Sequence, residues 1–82
     1  MRILLVEDEK KIASFIERGL KEQRYAVDVT HNAEKGSELA HANDYDLIIL
    51  DLMLPGGRDG LSLCDEIRKK KQDVPILILT AK

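Results

Sequence analysis

Three runs of four consecutive apolar residues divide this chain: Ile3-Leu4-Leu5-Val6, Leu47-Ile48-Ile49-Leu50 and Ile76-Leu77-Ile78-Leu79. A strand that is apolar without alternation is buried on both faces. Sheets covered on both faces are parallel ones with helical crossovers. The intervening segments have helical character. Over residues 10–23, Ile12, Phe15, Ile16 and Leu20 recur at spacings of three and four, with Lys10, Lys11, Glu17, Lys21 and Glu22 between them. Gly19 within this pattern suggests close packing against a strand. Residues 25–30 alternate and read as an edge strand carrying Asp28. Residues 32–42 form a second helix with Asn32 as candidate cap, and 43–46 form a loop. Residues 60–70 form a third helix, broken by Asp73-Val74-Pro75. The order βαβαβαβ implies right-handed crossovers and one parallel sheet.

Such a sheet gathers chemistry at one edge. Ligands of open α/β sheets bind beyond the C-terminal strand ends, where strand order reverses. Glu7 and Asp8 follow the first strand, Asp51 ends the third, and Thr80 follows the fourth. Crowded carboxylates repel one another unless protons or a cation relieve them. Mg²⁺ takes oxygen ligands, including one or two carboxylates and a phosphate. Asp8 and Asp51 suit that role directly, a backbone carbonyl after Asp51 adds a neutral oxygen, and Glu7 acts through water. Asp51 is then placed to attack phosphorus and form an acyl phosphate. The Thr80 hydroxyl is placed to hydrogen-bond a phosphoryl oxygen. Taken singly, each of these residues is equally a helix cap, a turn residue or an ordinary strand end; only their convergence argues for chemistry.

The remaining features are structural. The 82 residues make one small domain. With a net charge of -2 and a pI near 5.6, the domain is not a non-specific binder of nucleic acid. The run Arg68-Lys69-Lys70-Lys71 reads as a solvated helix end favoured by the dipole. The single cysteine, Cys64, permits no internal disulfide, fits a reducing cytoplasmic setting and belongs to a helical apolar face. No apolar stretch approaches about 18 residues, so no membrane span is expected. His31 and His41 read as surface histidines, and Met53 as a packing residue.

Three segments together resemble the receiver domains of bacterial two-component response regulators. Residues 3–10, Ile-Leu-Leu-Val-Glu-Asp-Glu-Lys, resemble the family's first strand and acidic pair. Residues 46–56, Asp-Leu-Ile-Ile-Leu-Asp-Leu-Met-Leu-Pro-Gly, resemble the phosphoacceptor segment. Residues 76–82 resemble the fourth strand and its switch threonine. The Asp-Leu-Met-Leu-Pro wording is most similar to the OmpR-type subgroup, whose members carry a winged-helix DNA-binding output domain. The resemblance implies an α/β, flavodoxin-like (CheY-like) doubly wound sheet with strand order 2-1-3-4. It implies Asp51 as phosphoacceptor and Thr80 as switch hydroxyl. Mg²⁺ would be bound by Asp8, Asp51 and the Met53 carbonyl, with Glu7 assisting through water. A sensor histidine kinase would be the donor. Family members catalyse their own phosphotransfer and slow autodephosphorylation.

Two departures from the family pattern stand out. Three residues separate Pro55 from Asp59 where the family has two, so the loop is one residue longer. The family builds five strands and five helices, and these 82 residues, a partial receiver with no output domain, reach only the fourth strand. The fifth-strand lysine that meets the phosphoryl group is therefore outside them, and Lys82 is not that residue. The expectations are impaired phosphotransfer and a homo-oligomer formed through the exposed fourth strand and the uncovered sheet face. The alternative is a receiver-like interaction module that accepts no phosphate. An aspartate-nucleophile phosphatase would need an acid where Met53 stands. A nucleotide- or flavin-binding module would need glycines where Glu7, Asp8 and Glu9 stand.

Overall fold

All three apolar runs become strands, and helices fill the intervals between them. The computed structural model describes residues 1–54, 59–71 and 73–79. Its order is β1 (Arg2–Val6), α1 (Lys10–Glu22), β2 (Ala26–Thr30), α2 (Ala33–Ala42), β3 (Leu47–Asp51), α3 (Gly60–Lys70) and β4 (Ile76–Leu79). The strands pair in parallel in the order β2-β1-β3-β4, as expected for the flavodoxin-like class. Val6 lies beside both Thr30 and Leu50, and Asp51 lies beside Leu79. The C-terminal ends of β1, β2 and β3 thus stand level at one edge.

Strand alternation splits each apolar run between two cores. Leu4, Val6, Ile48 and Leu50 pack with Ala33 and Ala40 of α2 and with Leu63 and Ile67 of α3; Cys64 packs at the margin, as expected. Ile3, Leu5 and Ile49 pack with Ala13 of α1, with Ile16 and Leu20 at the margin. Burying each Leu or Ile side chain contributes about 1.5–3 kcal/mol, so the central strands dominate the fold's stability.

Local signals set the helix ends. Asn32 Oδ1 accepts from Lys35 N–H at 2.8 Å, and Asp59 Oδ1 accepts from Ser62 N–H at 2.8 Å; each satisfies a first-turn donor. At the end of α1, Arg24 takes a left-handed conformation with φ 69°. Its N–H bonds Lys21 O at 2.9 Å and the Tyr25 N–H bonds Leu20 O at 3.3 Å, which closes the helix in the manner glycine ordinarily serves.

Several expectations need correcting. Gly19 has no neighbour near the place a Cβ would occupy; the close approach falls instead at Gly36, where a Cβ would lie 3.0 Å from Val6 Cγ2. On α1, Ile16 and Leu20 reach the sheet, but Phe15 is 75% exposed and Ile12 is also exposed. The apolar stripe is wider than the part of the sheet it covers, and Leu77 of β4, on the same face as its neighbour Ile49, is exposed as well. Met53 is 66% exposed rather than packed.

His41 is not a free surface residue. Its Nδ1 lies 3.5 Å from Glu66 Oε2, Ser37 Oγ donates to that same carboxylate, and His41 Nε2 is buried. Lys71 does not simply extend into solvent: its Nζ donates to Asn43 O at 2.7 Å and pairs with Asp44 at 3.1 Å. The loop residue Tyr45 is buried, and its hydroxyl donates to Asp28 Oδ2 at 2.7 Å beside the Arg2 guanidinium. No helix among the described residues is long and apolar enough to cross a membrane.

Candidate functional site

Parallel register brings residues that are far apart in sequence to the C-terminal edge of the sheet. β1 ends at Val6, and the Glu7 N–H continues its ladder by bonding Thr30 O at 3.0 Å. Glu7 has the same alternation phase as Ile3 and Leu5, and its side chain turns inward: only 4% of the residue is exposed. Asp8, one residue on, is half-buried. On β3, Asp51 closes the strand at 7% exposure. One carboxylate oxygen from each of Glu7, Asp8 and Asp51 can be chosen so that all three lie within 4.8 Å of one another. The expected convergence is therefore present for these three residues.

The surrounding backbone holds the acids in place. Glu9 N–H donates to Glu7 Oε2 at 3.0 Å, folding the chain between β1 and α1. Met53 N–H donates to Asp51 Oδ1 at 3.0 Å, so the Met53 peptide lies against the site although its side chain faces solvent. Leu52 N–H bonds Leu79 O at 3.3 Å, and Gly60 N–H bonds Leu52 O at 3.0 Å. The second bond sets the start of α3 directly on the end of β3. A Cβ at Gly60 would overlap the Asp51 carbonyl oxygen and come within 2.7 Å of Leu52 Cα, so only glycine permits this approach. Thr80, Lys82 and the loop residues Pro55, Gly56, Gly57 and Arg58 lie outside the described residues.

Among the described residues, the electrostatics of the site are those of crowded negative charge. Burial pushes the Glu7 carboxyl above its ordinary range. The charges of Asp51 and Asp8 push it the same way, while the Glu9 N–H opposes them. Without a cation, a proton can relieve part of this repulsion. The donors are all carboxylate oxygens, with neither histidine nor cysteine among them. That chemistry fits a hard divalent cation such as Mg²⁺ and not a soft metal.

Sequence reasoning missed two residues here. One is Gly60. The other is His31, read as a surface histidine: its Nδ1 lies 2.9 Å from the Glu7 carbonyl oxygen. The signal was available, because His31 follows β2 and β2 is the neighbour of β1 on the same edge.

Comparison with known proteins agrees with this geometry. The response regulator receiver domain family matches residues 3–82. The response regulator ArlR of Staphylococcus saprophyticus is 49% identical over 81 residues, which are 99% of this chain and 36% of that protein. The chain thus spans about a third of the length of this curated relative. Among solved structures, the response regulator TrrA of Thermotoga maritima in complex with Mg²⁺–BeF superposes with a TM-score of 0.93 at 42% identity, over 99% of this chain and 70% of that one. TrrA in complex with the histidine kinase ThkA gives a TM-score of 0.90 at 42% identity, over 98% and 68%. With the fold, the acidic edge and a match over nearly its whole length in agreement, this chain belongs to the response regulator receiver domain family.

Proposed function

We propose that this domain accepts a phosphoryl group on Asp51 from a sensor histidine kinase, in a reaction that depends on Mg²⁺. The observation that carries this reading is the gathering of Glu7, Asp8 and Asp51 oxygens within 4.8 Å at the C-terminal edge. Asp8, Asp51 and the Met53 carbonyl would hold the metal, with Glu7 acting through water. Held there, Mg²⁺ would offset the carboxylate repulsion and supply positive charge for the oxygens of an incoming phosphoryl group. An Asp51 carboxylate oxygen attacks phosphorus, the bond from phosphorus to the donor breaks, and the donor leaves with the electron pair. The Met53 N–H on Asp51 Oδ1 orients the carboxylate for that attack. The Thr80 hydroxyl is the proposed switch that follows the phosphoryl group. The proposed setting is the cytoplasm, and the proposed output of the longer protein is transcription regulation.

Incubation with acetyl phosphate and Mg²⁺, followed by intact-mass spectrometry, tests the reading. The expected result is a gain of one phosphoryl group that is absent in Asp51→Asn. A folded chain that gains nothing would favour an interaction module that accepts no phosphate. The exposed Leu77 and Ile78 of β4 favour association of two copies along that edge, and sedimentation showing a monomer at micromolar concentration would refute it.

A further inference from the structure

We infer that His31 is a positioning residue for the acidic site: its Nδ1–H grips the Glu7 carbonyl and so fixes the peptide that carries Asp8. The inference rests on the phosphoacceptor reading and goes beyond it, since the three acids alone do not require a histidine.

The argument starts from what holds each acid. Asp51 accepts a hydrogen bond from Met53 N–H, and Glu7 accepts one from Glu9 N–H. The Asp8 carboxylate accepts none of the hydrogen bonds found among the described residues, and it is half-buried. Its position is therefore set by its backbone, through the peptide joining Glu7 to Asp8. The Glu7 N–H is held by Thr30 O at 3.0 Å, and the Glu7 carbonyl oxygen is held by His31 Nδ1 at 2.9 Å. Two consecutive residues at the end of β2 thus grip Glu7 on both of its peptide groups. Removing the second bond leaves the carbonyl of the Glu7–Asp8 peptide unheld among the described residues, while the Glu9 N–H bond to Glu7 Oε2 still braces the chain on the far side of Asp8, and so loosens the backbone that aims the Asp8 carboxylate.

The chemistry of the contact fixes the tautomer. A carbonyl oxygen only accepts, so Nδ1 must carry the proton. A peptide held this way keeps Asp8 oriented before a cation arrives, which reduces the ordering that binding requires. Partners that orient metal ligands in this manner typically change metal affinity by about 10- to 100-fold when removed.

The test is a Mg²⁺ titration followed by calorimetry, on the native chain, His31→Phe and His31→Asn. Phenylalanine keeps a ring without the donor. Asparagine places an amide N–H as many bonds from Cα as Nδ1 is. The expected result is affinity about tenfold weaker in His31→Phe and restored to within about threefold in His31→Asn. Unfolding in the absence of Mg²⁺ accompanies each titration, because a purely structural histidine would change stability without this pattern of loss and rescue. In parallel, imidazole ¹⁵N shifts of the native chain should show a protonated Nδ1, a readout that needs no variant to fold. The opposite tautomer overturns the inference. So does equal affinity in His31→Phe, or a loss that asparagine does not restore. A native chain with no saturable Mg²⁺ binding overturns the phosphoacceptor reading and the inference with it, whereas a native chain that binds alongside an equally tight His31→Phe overturns the inference alone.

Discussion

Neutralising Asp51 should make the metal-free domain more stable while removing its response to Mg²⁺. Asp51→Asn keeps the shape of the side chain and an oxygen to accept the Met53 N–H bond of 3.0 Å. It removes one of three charges lying within 4.8 Å of each other. At 4.8 Å two unit charges repel by about 0.9 kcal/mol in water and by about 3.5 kcal/mol at an effective dielectric near 20. The Glu7–Asp51 pair is buried and lies toward the upper figure; the Asp8–Asp51 pair is half-exposed and lies toward the lower. Burial and its neighbours raise the Glu7 carboxyl, which marks the first term as the one a bound proton can relieve, so it enters below the upper figure. Losing the charged character of the Met53 bond takes back roughly 0.5–1 kcal/mol. The net expectation is a gain of about 1–2 kcal/mol without metal, or roughly 5–10 °C in Tm for a domain of this size. Mg²⁺ at a hundred times its Kd should stabilise the native chain by about 2.7 kcal/mol and the variant by much less. Urea and thermal unfolding followed by circular dichroism, each with and without Mg²⁺, measure both terms. A variant less stable than the native chain without metal, or one that gains as much from Mg²⁺, would refute the view that unrelieved carboxylate repulsion defines this site.

The Glu7 carboxyl is raised in the folded state by burial, then by Asp51 and Asp8, so its contribution to stability is full below about pH 4.5 and is lost as pH rises through the folded value. Mg²⁺ binding favours the ionised carboxylates, so its affinity should weaken as pH falls through the raised Glu7 value in titration calorimetry, and Glu7→Gln should flatten the profile. Tyr45 is held neutral to about 12 by burial and by its bond to Asp28. Its contribution is complete below pH 10.0 and is lost as pH climbs toward 12. Tyr45→Phe should reduce stability at neutral pH by about 1–2 kcal/mol in urea and should show no such alkaline decline. Gly60→Ala must push the start of α3 off the Asp51 carbonyl. A stability loss of about 1–3 kcal/mol and weakened Mg²⁺ binding are expected, and an unchanged Mg²⁺ affinity would show that α3 does not set the Asp51 geometry.

Interactions along the chain were legible in the sequence because they involve neighbours a few residues apart. Unbroken apolar runs announce strands buried on both faces, helical spacing announces the crossovers, and Asn32 marks the start of α2 by its side chain alone. Even the site's acids were readable, since Glu7, Asp8 and Asp51 each sit at the end of an apolar run. What strand order and register decided was which groups meet. The buried position of Glu7 follows from its alternation phase, the grip of His31 on the Glu7 carbonyl from the neighbouring of β1 and β2, and the need for glycine at position 60 from the seating of α3 on the end of β3. The helical stripe that predicted a buried Phe15 marked only a direction around the helix. Whether anything packs on that direction is a property of the other elements, and none of the described ones covers it. Periodicity is local, whereas contact is made between segments whose separation in the chain carries no record of their distance in space.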